Sequence, residues 1–256
     1  MDYKKVAVLI IIVVVLVGGG LSFYLYRNSV LNKSAKSVDN IQETLNSVEI
    51  KDKKIADNTK PFKIDITYPY IAQADGFNKL TQDLVQKELD DFRTNSLEND
   101  EAVKKVDPES YAKYPREYTL NISYTTGEMD GSVTSVILNV ENFEGGAHGA
   151  TNFIPINYDV KNKKNIKLAD LFTGQKDYLQ KISDYCIEDL KKQIKEKTGD
   201  DGGAWLEDGA GPFEENYSVF LINPSTSSGQ ATITFYFPQY QVAAYALGNF
   251  KVTYPR

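Results

Sequence analysis

The amino-acid sequence predicts an α+β fold, with antiparallel sheets that carry helices packed on one face, preceded by a single N-terminal transmembrane helix. The first observation is the order of patterns: runs that alternate every two residues, as strands do, are interrupted by two amphipathic helical runs. The second is that turns rich in glycine and asparagine separate consecutive strand-like runs, which favours antiparallel hairpins. The third is an uncharged stretch of 21 residues near the N-terminus, long enough to cross a bilayer.

That uncharged stretch, residues 6–26, is predicted to be a transmembrane signal anchor. At 1.5 Å per residue it spans a bilayer core of about 30 Å. Two lysines in the short tail of residues 1–5 precede it, and Arg27 follows it. This charge pattern indicates a cytoplasmic N-terminus, with the bulk of the chain outside the cytoplasm. A cleaved signal peptide is the alternative, because residues 18–20 are glycines, although no Ala-x-Ala cleavage site is present.

Residues 27–58 are predicted to be a stalk or linker. The stretch is polar, and apolar residues recur in near-heptad spacing, which predicts a helix. Two heptads are too few to predict a coiled coil, so the oligomeric state stays open. The apolar positions are Ala35, Val38, Ile41, Leu45 and Val48.

The globular part is predicted to contain an N-terminal α+β subdomain, residues 59–145, and a C-terminal one, residues 146–256. In the first, alternation predicts strands and the spacing of Phe77, Val85 and Leu89 predicts an amphipathic helix. The predicted elements are a strand over 62–70 that Pro69 ends, a helix over 76–93, a charged loop over 95–115, and strands over 117–126 and 132–143.

In the second subdomain a long helix is predicted between strand-like runs. Asp177 is expected to begin this helix and Gly199 to follow its end, while Asp170 is expected to cap a short helical turn before it. Cys186 falls on the apolar stripe of the helix and is predicted to be a core thiol. The elements are strands over 152–160, 166–168, 217–222, 231–237 and 249–254, a helix over 177–197, and an acidic loop over 199–216.

A Gly-Gly-Ala-His-Gly turn, residues 145–149, separates two strand-like runs and contains the chain's only histidine. Glycines allow positive φ angles, so this turn can reverse two strands tightly or let a ligand approach the main chain. We therefore predict that Gly145, Gly146, His148 and Gly149 contribute to ligand binding, with His148 hydrogen-bonded within its loop or placed at a binding cleft.

A catalytic or metal-binding role for His148 would need further acidic, histidine or cysteine side chains at suitable spacing, and the sequence shows no such pattern. Glu141 and Glu144 are near in sequence, but a histidine metal site normally needs two or more further strong ligands. The chain has no second histidine, a single cysteine, no Gly-x-Ser-x-Gly turn and no phosphate-binding loop. We therefore predict no catalytic residue, no metal site and no cofactor. A carboxylate pair drawn from Glu141, Glu144 or Asp170 is the alternative for hydrolysis.

The charge balance of the predicted extracytoplasmic part is acidic. Residues 59–256 carry 21 basic and 29 acidic side chains, a net charge of −8. Such a surface repels nucleic acid and anionic wall polymers and attracts cationic proteins. Within the acidic loop, Trp205, Glu207 and Asp208 are predicted to bind a ligand, because aromatic residues often anchor interfaces. A solvated loop, with the tryptophan folded onto the core, is the alternative.

Three tyrosines near the C-terminus leave two interpretations open. Tyrosine is abundant, at 17 residues, and fits half-buried sheet surfaces. Tyr236, Tyr240 and Tyr245 are therefore expected to cover the sheet, and stacking on sugar rings is the alternative.

Three motifs in the same order carry a family resemblance. They are Gly-Gly-Ala-His-Gly, Ile-Lys-Leu-Ala-Asp-Leu-Phe at residues 166–172, and Ile-Thr-Phe-Tyr-Phe-Pro-Gln-Tyr-Gln-Val-Ala-Ala-Tyr-Ala-Leu-Gly at residues 233–248. Over about residues 60–256 the chain resembles the extracytoplasmic module shared by RsiV-type anti-sigma factors and the N-terminal part of PdaC-type peptidoglycan deacetylases. The resemblance implies an α+β envelope protein of bacteria and, in the RsiV branch, a receptor for lysozyme.

We therefore expect a single-pass protein of the bacterial cell membrane that acts as an extracytoplasmic binding or sensor module without its own catalysis. Its ligand is expected to be a cationic lysozyme-like protein or a cell-wall glycan, and nucleic acid is not expected to bind. Only five residues precede the predicted span and the sequence ends at Arg256, so we expect neither sigma-factor binding nor deacetylase activity. A wall-modifying hydrolase that uses His148 and a nearby carboxylate is the alternative, and a scaffold acting through the stalk is a third.

Overall fold

The computed structural model describes residues 49–256, except residues 115, 130–131, 202 and 224–230. These residues belong to one compact unit, Val48–Arg256. The predicted anchor, residues 6–26, lies outside the described residues, as does most of the predicted stalk. Within the described ranges, no helix is both long and apolar enough to cross a membrane.

The described residues form nine strands and four α-helices, together with three short 3-10 helices. The strands are β1 (Ile50–Asp57), β2 (Phe62–Ile71), β3 (Tyr118–Met129), β4 (Val133–Phe143), β5 (Ala150–Asp159), β6 (Lys164–Asn165), β7 (Phe220–Asn223), β8 (Thr232–Phe237) and β9 (Phe250–Pro255). The helices are α1 (Asp75–Val106), α2 (Pro108–Lys113), α3 (Tyr178–Thr198) and α4 (Ala204–Gly209), and the 3-10 helices are Leu168–Phe172, Glu214–Tyr217 and Tyr245–Leu247.

The strands form two sheets, one of six strands in the order β1-β2-β3-β4-β5-β6 and one of three in the order β7-β8-β9. All neighbouring strands are antiparallel except β2 and β3, which are parallel. This exception arises because α1 connects them, and a helical crossover returns the chain in the same direction. The predicted α+β class with mainly antiparallel sheets is confirmed.

Alternation along β4 and β7 explains how the layers stack. Val136, Leu138 and Val140 belong to the core beneath α1, whereas Ile137 contacts Leu221 of β7. The neighbours of Leu221, Phe220 and Ile222, belong to the core beneath α3. Leu221 itself lies on the opposite face of β7, towards the six-stranded sheet. Because successive side chains of a strand point to opposite faces, the layer order is α1, six-stranded sheet, three-stranded sheet, α3.

The helix α3 follows its predicted pattern closely. Its buried face contains Ile182, Cys186, Leu190 and Ile194, and Gly199 ends it with a φ of +82°. Cys186 is fully buried, and burial raises the pKa of its thiol. The prediction of a core thiol is confirmed. Asp177 occupies the N-cap position as expected, but its carboxylate forms an ion pair with the side chain of Lys181 rather than a capping hydrogen bond.

The predicted loop over residues 95–115 is wrong, because α1 continues to Val106 and α2 follows it. Tertiary contacts hold these additional turns in place. Ser96 is buried, Asn99 donates a hydrogen bond to the carbonyl oxygen of Glu144, and Asp100 accepts hydrogen bonds from two tyrosines. The charged residues at the end of α1 therefore remain helical because a few polar side chains among them form hydrogen bonds with residues of the sheet region.

Two predictions near the first strands are also wrong. Residues 50–57, assigned to the stalk helix, form the edge strand β1, and its mostly charged, exposed residues are typical of a protected sheet edge. Pro69 does not end β2, which continues to Ile71. The pairing of β2 with β3 stops at Ile66, so Pro69 lies where that side of β2 has no partner strand.

The remaining differences are local. The acidic loop contains α4 and the 3-10 helix Glu214–Tyr217. Asp170 caps a short helical turn as expected, but from the third position of the 3-10 helix Leu168–Phe172, where its carboxylate accepts a hydrogen bond from the backbone N–H of the N-cap residue Lys167 at 2.9 Å. The division of the globular part at residue 145 stays a prediction, and β5 and β6 after it complete the six-stranded sheet.

Candidate functional site

The Gly-Gly-Ala-His-Gly turn connects β4 and β5, which pair up to Asn142 and Ala150. Of its glycines only Gly145 has a positive φ, at +96°. A β-carbon there would lie 2.9 Å from Cε1 of Tyr118, and one on Gly149 would lie 2.9 Å from the carbonyl oxygen of Asn142. Gly146 has open space, since the nearest atom would be 3.8 Å away. Two of the three glycines are thus required by the backbone or by packing.

Residues of α1, α2 and the start of β3 support the glycine turn. Arg116 donates a hydrogen bond to the carbonyl oxygen of Gly145 at 3.2 Å. Tyr118, fully buried beneath the turn, donates one to Asp100 at 2.7 Å, and Tyr111 donates to the other carboxylate oxygen of Asp100. Burial, together with the hydrogen bond to Asp100, raises the pKa of Tyr118. The turn is therefore held by Arg116 and lies against a tyrosine that Asp100 fixes in place.

Gly145→Ala is expected to lower the free energy of unfolding by about 2 kcal/mol, because the new side chain is strained at positive φ and collides with Tyr118. Gly146→Ala is the matched control, and its expected change is under about 1 kcal/mol. Urea denaturation followed by circular dichroism measures both. Equal losses in the two variants would show that the turn does not depend on the backbone of Gly145.

His148 is exposed and its ring stacks on Tyr245, with centroids 3.9 Å apart and planes inclined by 28°. Its Nδ1 lies 2.9 Å from the carbonyl oxygen of Gly149, so the expected hydrogen bond within the loop is present. The hydroxyl of Tyr245 donates to the same oxygen at 2.8 Å, across 96 positions of sequence. The fold thus brings the glycine turn against the C-terminal motif.

The carboxylates near His148 in sequence face elsewhere. Glu144 accepts hydrogen bonds from Asn142 and Asn95, and desolvation raises its pKa. Glu141 is exposed on β4. Among the described residues, no hydrogen bond or ion pair joins the ring of His148 to a carboxylate, and no group of three or more potential ligands is placed to hold a metal ion. The arrangement places His148 next to an aromatic ring rather than an acid.

Tyr240 extends the stack into an exposed row. Its ring centroid lies 5.5 Å from that of Tyr245, and 57% of Tyr240 is exposed. We call His148, Tyr245 and Tyr240 the aromatic row. Tyr236, by contrast, is buried and packs on Phe153 between the sheets. Covering the sheet is therefore correct for Tyr236 but not for Tyr240.

Trp205 lies on α4 and is 45% exposed, so it does not fold onto the core. It lines a groove of about 400 Å³ together with Val242, Ala244 and Leu247 of the C-terminal motif. The predicted ligand-binding residues Glu207 and Asp208 are exposed on the same helix, outside the lining of this groove. The segment 240–247 therefore contacts the glycine turn through Tyr245 and lines the same groove as Trp205.

The sequence did not predict that His148 stacks on Tyr245, nor that the C-terminal segment lines the groove beside Trp205. Both depend on the same segment, an irregular run followed by the 3-10 helix Tyr245–Leu247, in which buried and exposed residues follow no regular period. The only signal available in the sequence was the presence of two tyrosines in the third motif. No periodicity relates them to the glycine turn.

Comparison with known proteins gives two adjacent matches. Residues 55–151 match the family model described as deacetylase PdaC. Residues 169–256 match the model described as a protein of unknown function, DUF3298. His148 thus lies in the first matched region, and Tyr245 lies in the second.

A curated relative spans both regions. The chain is 28% identical over 230 residues to the peptidoglycan-N-acetylmuramic acid deacetylase PdaC of Bacillus subtilis, covering 90% of this chain and 44% of that protein. The chain therefore spans less than half the length of the relative. These matches support a resemblance to PdaC-type proteins, and the resemblance to RsiV-type receptors stays a prediction.

Two crystal structures of DUF3298 family proteins are also similar. The one from Bacteroides fragilis is 18% identical, with a TM-score of 0.46, and covers 82% of this chain and 91% of its own. The one from Pseudomonas aeruginosa is 13% identical, with a TM-score of 0.45, and covers 82% of this chain and 92% of its own.

Proposed function

We propose that this chain is an extracytoplasmic binding module of the bacterial cell envelope that binds peptidoglycan without catalysing a reaction. The aromatic row carries the proposal, because it presents exposed rings where the two matched regions meet. The name of the Bacillus subtilis relative, which specifies peptidoglycan, supports the choice of ligand. Residues 6–26 would anchor the module as a single-pass protein of the cell membrane, with the bulk of the chain extracytoplasmic.

The non-catalytic part of the proposal follows from how His148 is held. A general base needs its ring within hydrogen-bond reach of the proton that it takes, and a third group usually orients it. The carbonyl oxygen of Gly149 orients the ring of His148, but among the described residues no carboxylate is hydrogen-bonded to that ring, and the nearby Glu144 is engaged by Asn142 and Asn95. A hydrolase that uses His148 and a nearby carboxylate is thus the weaker alternative.

A cationic lysozyme-like protein is the second candidate ligand, favoured by a different observation. Trp205 is exposed beside an apolar groove, and Glu207 and Asp208 on the same helix are exposed as well. An aromatic anchor with surrounding negative charge is suited to a basic protein partner. Charge steering of this kind weakens with added salt, whereas stacking on neutral sugars does not.

The test is cosedimentation of the full-length chain, purified in detergent, with insoluble peptidoglycan sacculi. We expect saturable binding that persists when the salt concentration is raised, and no release of acetate or reducing sugar. Failure to cosediment at any salt concentration would contradict the proposal. Release of either product by the wild type, lost in His148→Ala, would instead establish the hydrolase alternative. A parallel titration with lysozyme at low and moderate salt tests the second candidate.

A further inference from the structure

We propose that the aromatic row is a glycan-binding site that takes the apolar faces of consecutive N-acetylated amino sugars. The inference rests on the proposed function and deepens it, since it names the residues and the part of peptidoglycan that they contact. The site consists of the stacked pair His148 and Tyr245 and the adjoining ring of Tyr240.

The rings suit the faces of sugars. A pyranose presents C–H groups on one face, and these hydrogens carry partial positive charge, while the face of an aromatic ring is negative. Tyr240 has 57% of its surface exposed, and His148 is exposed as well. Adjacent exposed rings of this kind mark a binding surface more often than isolated apolar residues do.

The backbone of Tyr240 provides a second, independent observation. Its φ is +70°, a left-handed conformation that is costly for any residue with a β-carbon. Hydrogen bonds on both sides hold the segment in place: Gln239 donates from its backbone to the side chain of Asn249, and Gln241 donates to the carbonyl oxygen of Pro238. The exposed ring gains little from burial to offset this cost. The turn therefore fixes the direction in which the ring of Tyr240 projects into solvent, although this ring is not needed for the core.

His148 also gives the aromatic row a nitrogen atom that can form a hydrogen bond with a ligand. A carbonyl oxygen only accepts hydrogen bonds, so Nδ1 must donate to Gly149, and Nε2 of the neutral ring is then an acceptor. Nε2 can receive a sugar hydroxyl or the N–H of an N-acetyl group. The hydroxyl of Tyr245 donates to Gly149 and one face of its ring is covered by His148, so Tyr245 positions His148, and the exposed rings of His148 and Tyr240 contact the sugar.

The charge of the chain favours an uncharged stretch of sugar over an anionic polymer. Residues 59–256 carry a net charge of −8, which repels phosphate-rich wall polymers. Within the described residues, no cationic side chain is stacked over any of the three rings. Stacking and hydrogen bonds are the interactions that these rings offer, and both suit a neutral glycan.

The experiment uses the full-length chain and chitohexaose, a linear β-1,4-linked hexamer of N-acetylglucosamine, with cellohexaose as the probe that lacks N-acetyl groups. Isothermal titration calorimetry is expected to show binding of chitohexaose and at least about tenfold weaker binding of cellohexaose. Tyr240→Gly removes the ring and relieves the backbone, so it should weaken chitohexaose binding at least about tenfold without lowering the melting temperature. Tyr245→Leu should weaken binding similarly.

Tyr114→Ala is the control, because it removes a tyrosine that is 63% exposed elsewhere on the surface, and it should leave both binding and stability unchanged. Unchanged affinity of Tyr240→Gly for chitohexaose would overturn the site. If that variant still cosedimented with sacculi, the proposed function would stand while the assignment of the aromatic row fell. Loss of lysozyme binding in Tyr240→Gly, with oligosaccharide binding absent from the wild type, would assign the row to a protein partner and overturn the inference.

Discussion

Asn157→Leu is expected to lower the free energy of unfolding by about 3 kcal/mol, since it breaks a buried polar link between the two sheets. Asn157 is buried on β5 and donates a hydrogen bond to the carbonyl oxygen of Phe220 at 2.9 Å. It also accepts one from Ser135, whose hydroxyl oxygen in turn accepts the backbone N–H of Ile222 at 2.8 Å. Leucine fills the space but leaves the carbonyl oxygen of Phe220 without a partner.

Thermal and urea denaturation measure this effect, and the melting temperature should fall by about 6–12 °C for a chain of this size. Asn139→Leu is the matched control, because Asn139 is only half-buried and donates a longer bond, 3.2 Å, to Thr125. Its expected loss is under about 1 kcal/mol. Similar losses in the two variants would show that the link between the sheets is not stronger than a surface contact. The double variant with Ser135→Ala should cost less than the sum of the single ones.

Gly209→Ala is expected to cost about 3 kcal/mol or more, because the added carbon has no space. A β-carbon at Gly209 would lie 1.8 Å from the carbonyl oxygen of Gln241 and 3.2 Å from Cγ1 of Val242. The side chain of Gln241 donates to the carbonyl oxygen of Gly209 at 2.8 Å, so the helix α4 and the C-terminal segment are held face to face. The obstruction is backbone, which cannot rotate aside.

Fluorescence of the single tryptophan, Trp205 on the same helix, reports the outcome directly, together with the urea midpoint. Gly146→Ala is again the appropriate control, since its β-carbon would meet nothing closer than 3.8 Å. A Gly209→Ala protein with the wild-type midpoint and unchanged tryptophan emission would show that α4 moves freely on the C-terminal segment.

The sequence predicted the helices and strands whose apolar residues recur at regular spacing along one face. In α3 the buried positions Ile182, Cys186 and Leu190 are the ones that helical spacing selects. The hairpin of β4 and β5 follows from alternation on both sides of a glycine turn. The C-terminal half of α1 could not be predicted in this way, because its helical state depends on contacts of Asn99 and Asp100 with distant elements.

The candidate site, too, was predictable only where it depends on local sequence. The sequence by itself determined that residues 145–149 form a turn and that the only histidine lies in it, since glycine chemistry and alternation are local properties. Tertiary structure alone decided that Tyr245 covers this histidine, that Tyr240 stays exposed and Tyr236 does not, and that Glu144 faces Asn95 instead. These outcomes depend on how the irregular segment around Tyr245 packs against Gly149, which lies 96 positions earlier in the sequence. No local sequence pattern predicts the direction of side chains in such a segment.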